Sequence, residues 1–92
     1  MAELNTAAII ALQRHYRFQW EPAQDSYVLL YPEGVVKLSG SAGEILKRVD
    51  GKTSADDIVR ELELAFPGID LRGDVTQFLE MAYGNGWIRI DD

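Results

Sequence analysis

The sequence predicts an α+β fold in which a three-stranded antiparallel sheet is followed by three helices. From Tyr16 to Trp20 aromatic residues alternate with polar ones, which is the period of a half-buried strand. After Gly40 apolar residues recur at intervals of three and four, which is the period of an amphipathic helix. A single change of period within 92 residues indicates one domain, with its strands first and its helices second.

Two turn segments, "EPAQD" at 21–25 and "PEG" at 32–34, divide the first half into three strands. The second strand, Tyr27–Tyr31, is apolar on both faces, which is typical of a central strand. The third strand, Val35–Leu38, is short. Three consecutive strands joined by short turns predict an antiparallel meander.

The first helix is expected to begin at Ser41, because Ser41 and Glu44 have the spacing of a capping box. Asp50-Gly51 then ends it, since glycine readily adopts the positive φ of a helix C-terminus. The apolar residues between these signals share one helical face. They are Ala42, Ile45, Leu46 and Val49.

Two further helices are predicted in the second half. Thr53 or Ser54 caps the first of them, and Asp70 or Gly73 begins the other. Their inner faces are Ile58, Leu62, Ala65 and Phe66, and then Leu71, Val75, Phe78, Leu79 and Ala82. The closing apolar residues Trp87, Ile88 and Ile90 are expected to fold back onto the core.

The first 14 residues allow two interpretations. Asn5 or Thr6 caps a short helix that runs through Ala7–Leu12, or the segment is an arm that becomes ordered against a partner. The chain is therefore divided into a variable N-terminal arm, 1–14, and a domain, 15–92.

Charge and composition exclude several classes of protein. The formal net charge of −6 is repelled by nucleic acid and by anionic membranes unless cations cluster, and the nine Lys and Arg are scattered. There is no cysteine, which suits a reducing compartment. The apolar run near the N-terminus is too short to span a bilayer and lacks the leading positive charges of a signal peptide. These features predict a cytoplasmic protein without a membrane partner.

The sequence offers little material for catalysis. His15 is the only histidine, and no second histidine or cysteine completes a metal site. No set of nucleophile, base and orienting group is visible. We therefore expect no catalytic residue, no metal site, no cofactor and no enzymatic activity.

Three helices with a small sheet also describe a winged-helix DNA-binding module. Its recognition helix should be basic. The last predicted helix offers Arg72 against Asp74 and Glu80, which is too little positive charge to neutralise several phosphates. A nucleic-acid partner is therefore disfavoured.

The third strand, Val35–Leu38, suggests another kind of function. A strand at a sheet edge presents unpaired amides and carbonyls that an extended peptide can satisfy. The alternative is that Val36 and Leu38 belong to the core, while Val35 and Lys37 are solvated at an idle edge. Periodicity alone favours this alternative.

A resemblance to a known family shifts that balance. The segment "VLLYPEGVVKLSGSAGEILKRVDG", 28–51, is similar to the PqqD family of pyrroloquinoline quinone (PQQ) biosynthesis. The preceding "YRFQWEPAQDSYVLLYPEG" and the later "FPGIDLRGDVTQFLEMAYGNGWI" continue the likeness. It covers residue 16 to about residue 92, and its specificity lies in the order of these elements.

The resemblance implies a peptide chaperone with the winged-helix-like fold of a RiPP recognition element. Such a protein binds the leader of the precursor peptide PqqA and presents it to the radical S-adenosylmethionine enzyme PqqE. The leader is expected to dock as an added strand beside the third strand and against the third helix. The implied peptide-binding positions are Val35, Val36, Lys37 and Leu38 on the strand, and Leu71, Arg72, Val75, Phe78 and Leu79 on the helix.

Other outcomes stay open at this point. The domain could recognise the leader of another peptide-modification pathway, or, less favoured, bind DNA as a winged helix. The chain could be a monomer or a strand-exchanged dimer.

Overall fold

A computed structural model describes residues 4–91 of the chain. In chain order the strands and helices are β1 (Ile9–Leu12), β2 (Arg17–Glu21), β3 (Ser26–Tyr31), β4 (Gly34–Lys37), α1 (Gly40–Leu46), β5 (Thr53–Ser54), α2 (Ala55–Ala65), α3 (Arg72–Gly84) and β6 (Ile88–Asp91). The predicted α+β class and its three helices are confirmed. The described residues contain more strands than predicted, because segments near both ends of the chain contribute to a second sheet.

The predicted meander forms the first sheet, with the strand order β2-β3-β4. Both pairings are antiparallel, and Leu29 on the central strand lies opposite Phe18 and Val36. Residues directly opposite in an antiparallel pair point to the same face. Leu29 is completely buried, and Phe18 and Val36 pack against the core beside it. This face of the sheet therefore meets the hydrophobic core.

The second sheet overturns one interpretation of the N-terminus. The helix expected through Ala7–Leu12 is wrong, since β1 is the central strand of a sheet with the order β5-β1-β6. Adjacent β-branched residues favour a strand, and both edges of β1 find partners that are distant in sequence. Ile10 is completely buried. Residues 1–3 lie outside the described range, and the assignment of 1–14 to a variable arm stays a prediction.

The closing apolar segment packs onto the core, as predicted, and does so as a strand. β6 pairs with β1 along its whole length, from Leu12 opposite Ile88 to Ile9 opposite Asp91. The Ile88 side chain is completely buried. The last described strand therefore lies beside the first.

Helix α1 begins with a different cap from the one predicted. The hydroxyl of Ser39 accepts a hydrogen bond from the amide of Ala42 at 3.2 Å. Glu44 does not complete a capping box with Ser41, because its carboxylate pairs with Arg48 one turn later at 3.0 Å. An i, i+4 ion pair offers Glu44 a charged partner that the box does not. The predicted apolar residues are all buried. The predicted helix end at Asp50-Gly51 is wrong, because α1 ends at Leu46 and Val49 lies beyond it.

Helix α2 begins with the cap that the sequence indicates. Ser54 Oγ accepts from the Asp57 amide at 3.1 Å, and the Asp57 carboxylate accepts from the Ser54 amide at 3.4 Å. The predicted inner face is right for Ile58 and Leu62 but wrong for its end. Ala65 and Phe66 are exposed, because the helix stops there and the chain turns away.

The hydrophobic core joins all three helices to both sheets. Its completely buried large side chains are Ile10, Leu29, Leu46, Ile58, Leu79 and Ile88. Within residues 4–91 no helix has the length and apolar character needed to cross a bilayer. The same part of the chain contains no group of three or more His, Cys, Asp and Glu side chains placed to hold a metal ion.

Candidate functional site

Strand β4 has one open edge. It is the outer strand of the first sheet, and in the described residues only β3 pairs with it. The Leu38 amide donates to the Tyr27 carbonyl at 3.0 Å, and Val36 lies opposite Leu29 in the same register. In an antiparallel ladder, hydrogen-bonded pairs alternate with pairs whose backbone groups point away. The amides and carbonyls of Val35 and Lys37 therefore face the open edge, whereas those of Val36 face β3.

The four predicted strand positions thus divide into two pairs. The side chains of Val36 and Leu38 point inward, and Leu38 is 6% exposed. Val35 and Lys37 are exposed, and the Val35 residue is 58% exposed although it is apolar. A peptide strand at this edge would bond to the backbone of Val35 and Lys37. It would not reach the Leu38 side chain.

The predicted helix positions divide in a similar way. Val75 and Leu79 are core residues on α3, with 2% and 0% of their surface exposed. Leu71, at the start of the helix, and Phe78 are half-buried. A peptide can contact these two more readily than Leu79.

Arg72 is engaged in an ion pair. Its guanidinium donates to the Asp56 carboxylate at 2.8 Å, which joins the start of α3 to the start of α2. This hydrogen bond raises the pKa of Arg72 and lowers the pKa of Asp56 from their ordinary values. A hydrogen bond from the Thr6 side chain further lowers the Asp56 pKa. Arg72 is absent from the lining of the cleft described next.

A cleft of about 690 Å³ begins at Ser39, two residues after the end of β4, and none of the β4 residues lines it. Its walls come from the start of α1, the end of α2, the α2–α3 loop and the first half of α3. The lining is mainly apolar, with hydroxyls and carboxylates among it. The lining residues are Ser39, Gly40, Ser41, Ala42, Glu44, Ile45, Leu62, Phe66, Ile69, Leu71, Asp74, Val75 and Phe78.

Two exposed apolar residues of this cleft are not among the predicted site positions. Phe66 and Ile69 lie on either side of the Pro67-Gly68 turn, and they are 46% and 56% exposed. The sequence signal that could have identified them is a pair of large apolar residues flanking a Pro-Gly turn. Periodicity assigns Phe66 to the core and Ile69 to a loop, so it does not identify either as lining.

The charged groups of the cleft are all acidic. Glu44 and Asp74 line it, and no Lys, Arg or His does. Arg48 pairs with Glu44 at 3.0 Å, which offsets that charge. Asp74 has no ion pair within residues 4–91. Close by, the Glu63 carboxylate accepts a hydrogen bond from the Leu71 amide at 3.0 Å.

This arrangement suits the binding of an apolar ligand. The lining provides apolar contact surface together with two serines and two carboxylates. His15 lies exposed in the turn between β1 and β2, outside the cleft. An open strand edge next to an apolar cleft matches the way in which extended peptides are recognised, with backbone pairing on one side and side-chain pockets on the other.

Comparison with known proteins gives a consistent picture. Residues 26–88 match the family described as coenzyme PQQ synthesis protein D (PqqD). A protein of Pseudomonas paraeruginosa named "PqqA binding protein" is 52% identical over 86 residues, which cover 90% of this chain and 91% of that protein. A protein of the same name from Azotobacter vinelandii is 50% identical over 91 residues, covering 98% and 99%.

A solved structure supports the fold. The solution NMR structure of the PqqD truncation of Methylobacterium extorquens PqqCD, described as a RiPP recognition element, superimposes with a TM-score of 0.77. The match covers 94% of each chain at 22% sequence identity, so it bears on the fold alone. Together with the family match and the relatives at about half identity, it leads to one assignment. The chain belongs to the PqqD family of coenzyme PQQ synthesis proteins.

Proposed function

We propose that this chain is a non-catalytic peptide chaperone that binds the precursor peptide PqqA and presents it to the radical S-adenosylmethionine enzyme PqqE. The names of its relatives support the peptide partner. The observation that carries the proposal is the open edge of β4, where Val35 and Lys37 turn their backbone groups outward beside an apolar cleft. The family resemblance supports the PqqE partnership.

In this mechanism the peptide adds a fourth strand to the first sheet. Its backbone would bond to Val35 and Lys37, which gives affinity with little dependence on peptide sequence. Its side chains would enter the cleft near Leu71 and Phe78, which gives specificity. The inward position of Val36, Leu38, Val75 and Leu79 limits their part to shaping the groove.

The benefit to the enzyme would be a high local concentration of peptide. A disordered leader loses conformational entropy when it pairs with β4, so its affinity depends on how far the groove is already formed. A peptide held by this chain, and a chain held by PqqE, become one assembly in which the reacting segment stays close to the enzyme. The chaperone therefore needs no catalytic group of its own.

Amide hydrogen exchange tests the strand addition. In the free protein we expect the amides of Val35 and Lys37 to exchange rapidly, because they face solvent, and that of Val36 to exchange slowly, because it bonds to β3. Saturation with PqqA should slow exchange at Val35 and Lys37 and leave Val36 unchanged. Val36 is thus an internal control. Bound peptide without new protection at Val35 and Lys37 would refute pairing at this edge.

The second part of the proposal needs its own measurement. We expect PqqE to bind the complex of this chain with PqqA, as detected by size-exclusion chromatography or isothermal titration calorimetry. A scrambled PqqA peptide controls for nonspecific association. If PqqE modifies free PqqA as fast as it modifies PqqA held by this chain, the presenting role is wrong even where peptide binding is right.

A further inference from the structure

We propose that the cleft beside β4 selects a peptide segment in which a large apolar side chain lies next to a lysine or arginine. This inference rests on the proposed function, because it names the chemistry that the same groove accepts. It depends on three features of the cleft: its apolar walls, the sign of its charge and its position relative to the open edge of β4.

The walls of the cleft favour the binding of an apolar side chain. A volume of about 690 Å³ is within the usual range of ligand pockets, so the cleft has room for a bulky side chain and part of its neighbour. Phe66 and Ile69 remain 46% and 56% exposed at its mouth. Exposed apolar residues that border an apolar cleft are a common mark of a binding surface. A Leu, Ile, Met or aromatic side chain would cover them.

The negative charge of the cleft favours a cationic residue next to that apolar side chain. Of its two carboxylates, Glu44 already pairs with Arg48, so Asp74 is the group left for a ligand. The cation nearest in sequence, Arg72, bonds instead to Asp56 at 2.8 Å. The chain as a whole carries a formal charge of −6, which adds to the attraction for a basic segment. An acidic residue placed in the cleft would meet like charge.

The position of the cleft sets the spacing within the peptide. The outward-facing residue Lys37 is followed after one residue by Ser39, the first of the three consecutive residues Ser39, Gly40 and Ser41 that line the cleft. From Lys37 to Ser39 an extended peptide keeps pace with the chain, because both advance about 3.3 Å per residue. Gly40 and Ser41 already belong to α1, which advances about 1.5 Å per residue. The apolar–basic pair should therefore begin about two residues beyond the part of the peptide that pairs with Lys37, on the side of Ser39.

Calorimetric titration with PqqA tests this inference through the Asp74 charge. We expect Asp74→Asn to weaken PqqA binding about three- to fivefold and Asp74→Lys about tenfold or more, as for removing and then reversing one partly screened charge. The wild-type affinity should also fall more steeply with salt than that of Asp74→Asn. Glu33→Gln is the matched control, since it removes an exposed carboxylate at the opposite end of β4 and should leave affinity unchanged.

The apolar half of the inference has a parallel test. Ile69 is exposed, so Ile69→Ser should preserve the fold while weakening PqqA binding about fivefold. Circular dichroism before each titration establishes that a variant is folded. A PqqA variant whose Lys or Arg next to the anchor is changed to Glu should bind Asp74→Lys better than it binds wild type.

The outcomes separate this inference from the function on which it rests. Weaker binding by the Asp74 and Ile69 variants, with Glu33→Gln unchanged, supports it. Tight PqqA binding that is indifferent to Asp74 and Ile69 overturns the inference and leaves the peptide-binding function intact. Failure of wild-type protein to bind PqqA overturns both.

Discussion

Gly43 lies where helix α1 meets the central strand of the first sheet. A Cβ atom at this position would stand 2.8 Å from Cδ2 of Tyr27 and 3.3 Å from its Cβ and Cγ. The Tyr27 ring has little freedom to move, because it packs between two other aromatic rings. It stacks on Phe18 with ring centroids 4.7 Å apart, and it meets Trp20 edge-on with centroids 4.9 Å apart. Glycine is therefore required here for close approach, although it weakens the helix itself.

Changing Gly43 to alanine should destabilise the protein despite the higher helix propensity of alanine. We expect urea unfolding to show a loss of about 1–3 kcal/mol, the usual cost of overpacking a filled site. Gly73→Ala in α3 is the control, because nothing lies within 4 Å of its added Cβ. It should gain about 0.4–1 kcal/mol, because alanine reduces the conformational freedom of the unfolded chain. A Gly43→Ala variant as stable as Gly73→Ala would contradict the contact with Tyr27.

The Asp56–Arg72 pair predicts a pH dependence of stability. Arg72 lowers the pKa of Asp56 in the folded protein, so the unfolded chain binds a proton at Asp56 at higher pH than the folded chain does. The pair therefore stabilises the fold above the unfolded pKa of about 3.9, and this contribution is lost as pH falls through the lower folded value.

The variant Asp56→Asn exposes this contribution. Compared with wild type, we expect a small loss in the free energy of unfolding at pH 7, since an exposed pair is screened by solvent. The loss should shrink toward zero between pH 5 and pH 2, measured by urea titration at each pH. Asp25→Asn is the control, because Asp25 forms no ion pair in the described structure and asparagine tolerates its positive φ of 50°. A loss that persists at low pH would assign the effect of Asp56 to something other than its charge.

At the scale of elements, strand β4 directs the backbone groups of alternate residues toward β3 and toward its open edge. Val36 bonds inward to β3, whereas Val35 and Lys37 face outward. Proline removes one amide, and it is tolerated in a sheet mainly on an edge strand where that amide faces solvent. The same substitution at adjacent positions should therefore separate peptide binding from folding.

We expect Lys37→Pro to fold and to lose affinity for PqqA, because it deletes a backbone donor at the open edge. Val36→Pro should instead lower stability by about 1–3 kcal/mol or more, because it removes a ladder bond to β3 and leaves the facing carbonyl unpaired. Circular dichroism and calorimetric titration of the two variants provide the measurement, and Lys37→Ala controls for loss of the side-chain charge. A folded Lys37→Pro protein that binds PqqA with wild-type affinity would rule out pairing through this amide.

The strands and helices that were predicted correctly are those whose formation depends on residues close together in the sequence. The meander follows from short turns and period-two patterns, and the cap of α2 follows from the hydroxyl residues Thr53 and Ser54, of which Ser54 is the cap. The strand at Ile9–Leu12 could not be recognised in this way, because a short apolar run fits a helix or a strand equally well. Its partners at 53–54 and 88–91 are far away in sequence.

In the candidate site, too, some features can be predicted from local sequence and others depend on the tertiary structure. The edge strand was accessible to prediction through its order in the meander and through family resemblance. The outward direction of Val35 and Lys37 needs the hydrogen-bond register, which Leu38 and Tyr27 supply. The roles of Phe66 and Ile69 depend on where the α2–α3 loop runs relative to α1, and no local pattern contains that information.

At the scale of the whole molecule, the second sheet joins the first described strand to the last. β1 lies between β5 and β6, and its residue Ile10 is completely buried among core residues from the helices and the other sheet. A domain of this size has a small core, so single elements carry a large share of its stability. The open β4 edge belongs to the other sheet, which suggests that stability and peptide binding can be varied separately.

This arrangement predicts the effect of removing the N-terminal segment. Ile10→Ala should lower the free energy of unfolding by about 2–5 kcal/mol, the usual cost of a cavity at a fully buried site. A chain reduced to residues 15–92 should lose more, because β5 and β6 would both lose their partner strand. Ile69→Ala is the matched control, since the same truncation at a residue that is 56% exposed should cost less than about 0.5 kcal/mol. Urea unfolding followed by circular dichroism compares the four proteins.

If residues 15–92 unfold at the wild-type midpoint, β1 is dispensable and the arm at 1–14 is independent of the domain. If they unfold at a lower midpoint yet still bind PqqA below the transition, the second sheet supports the fold and the β4 edge alone serves the peptide.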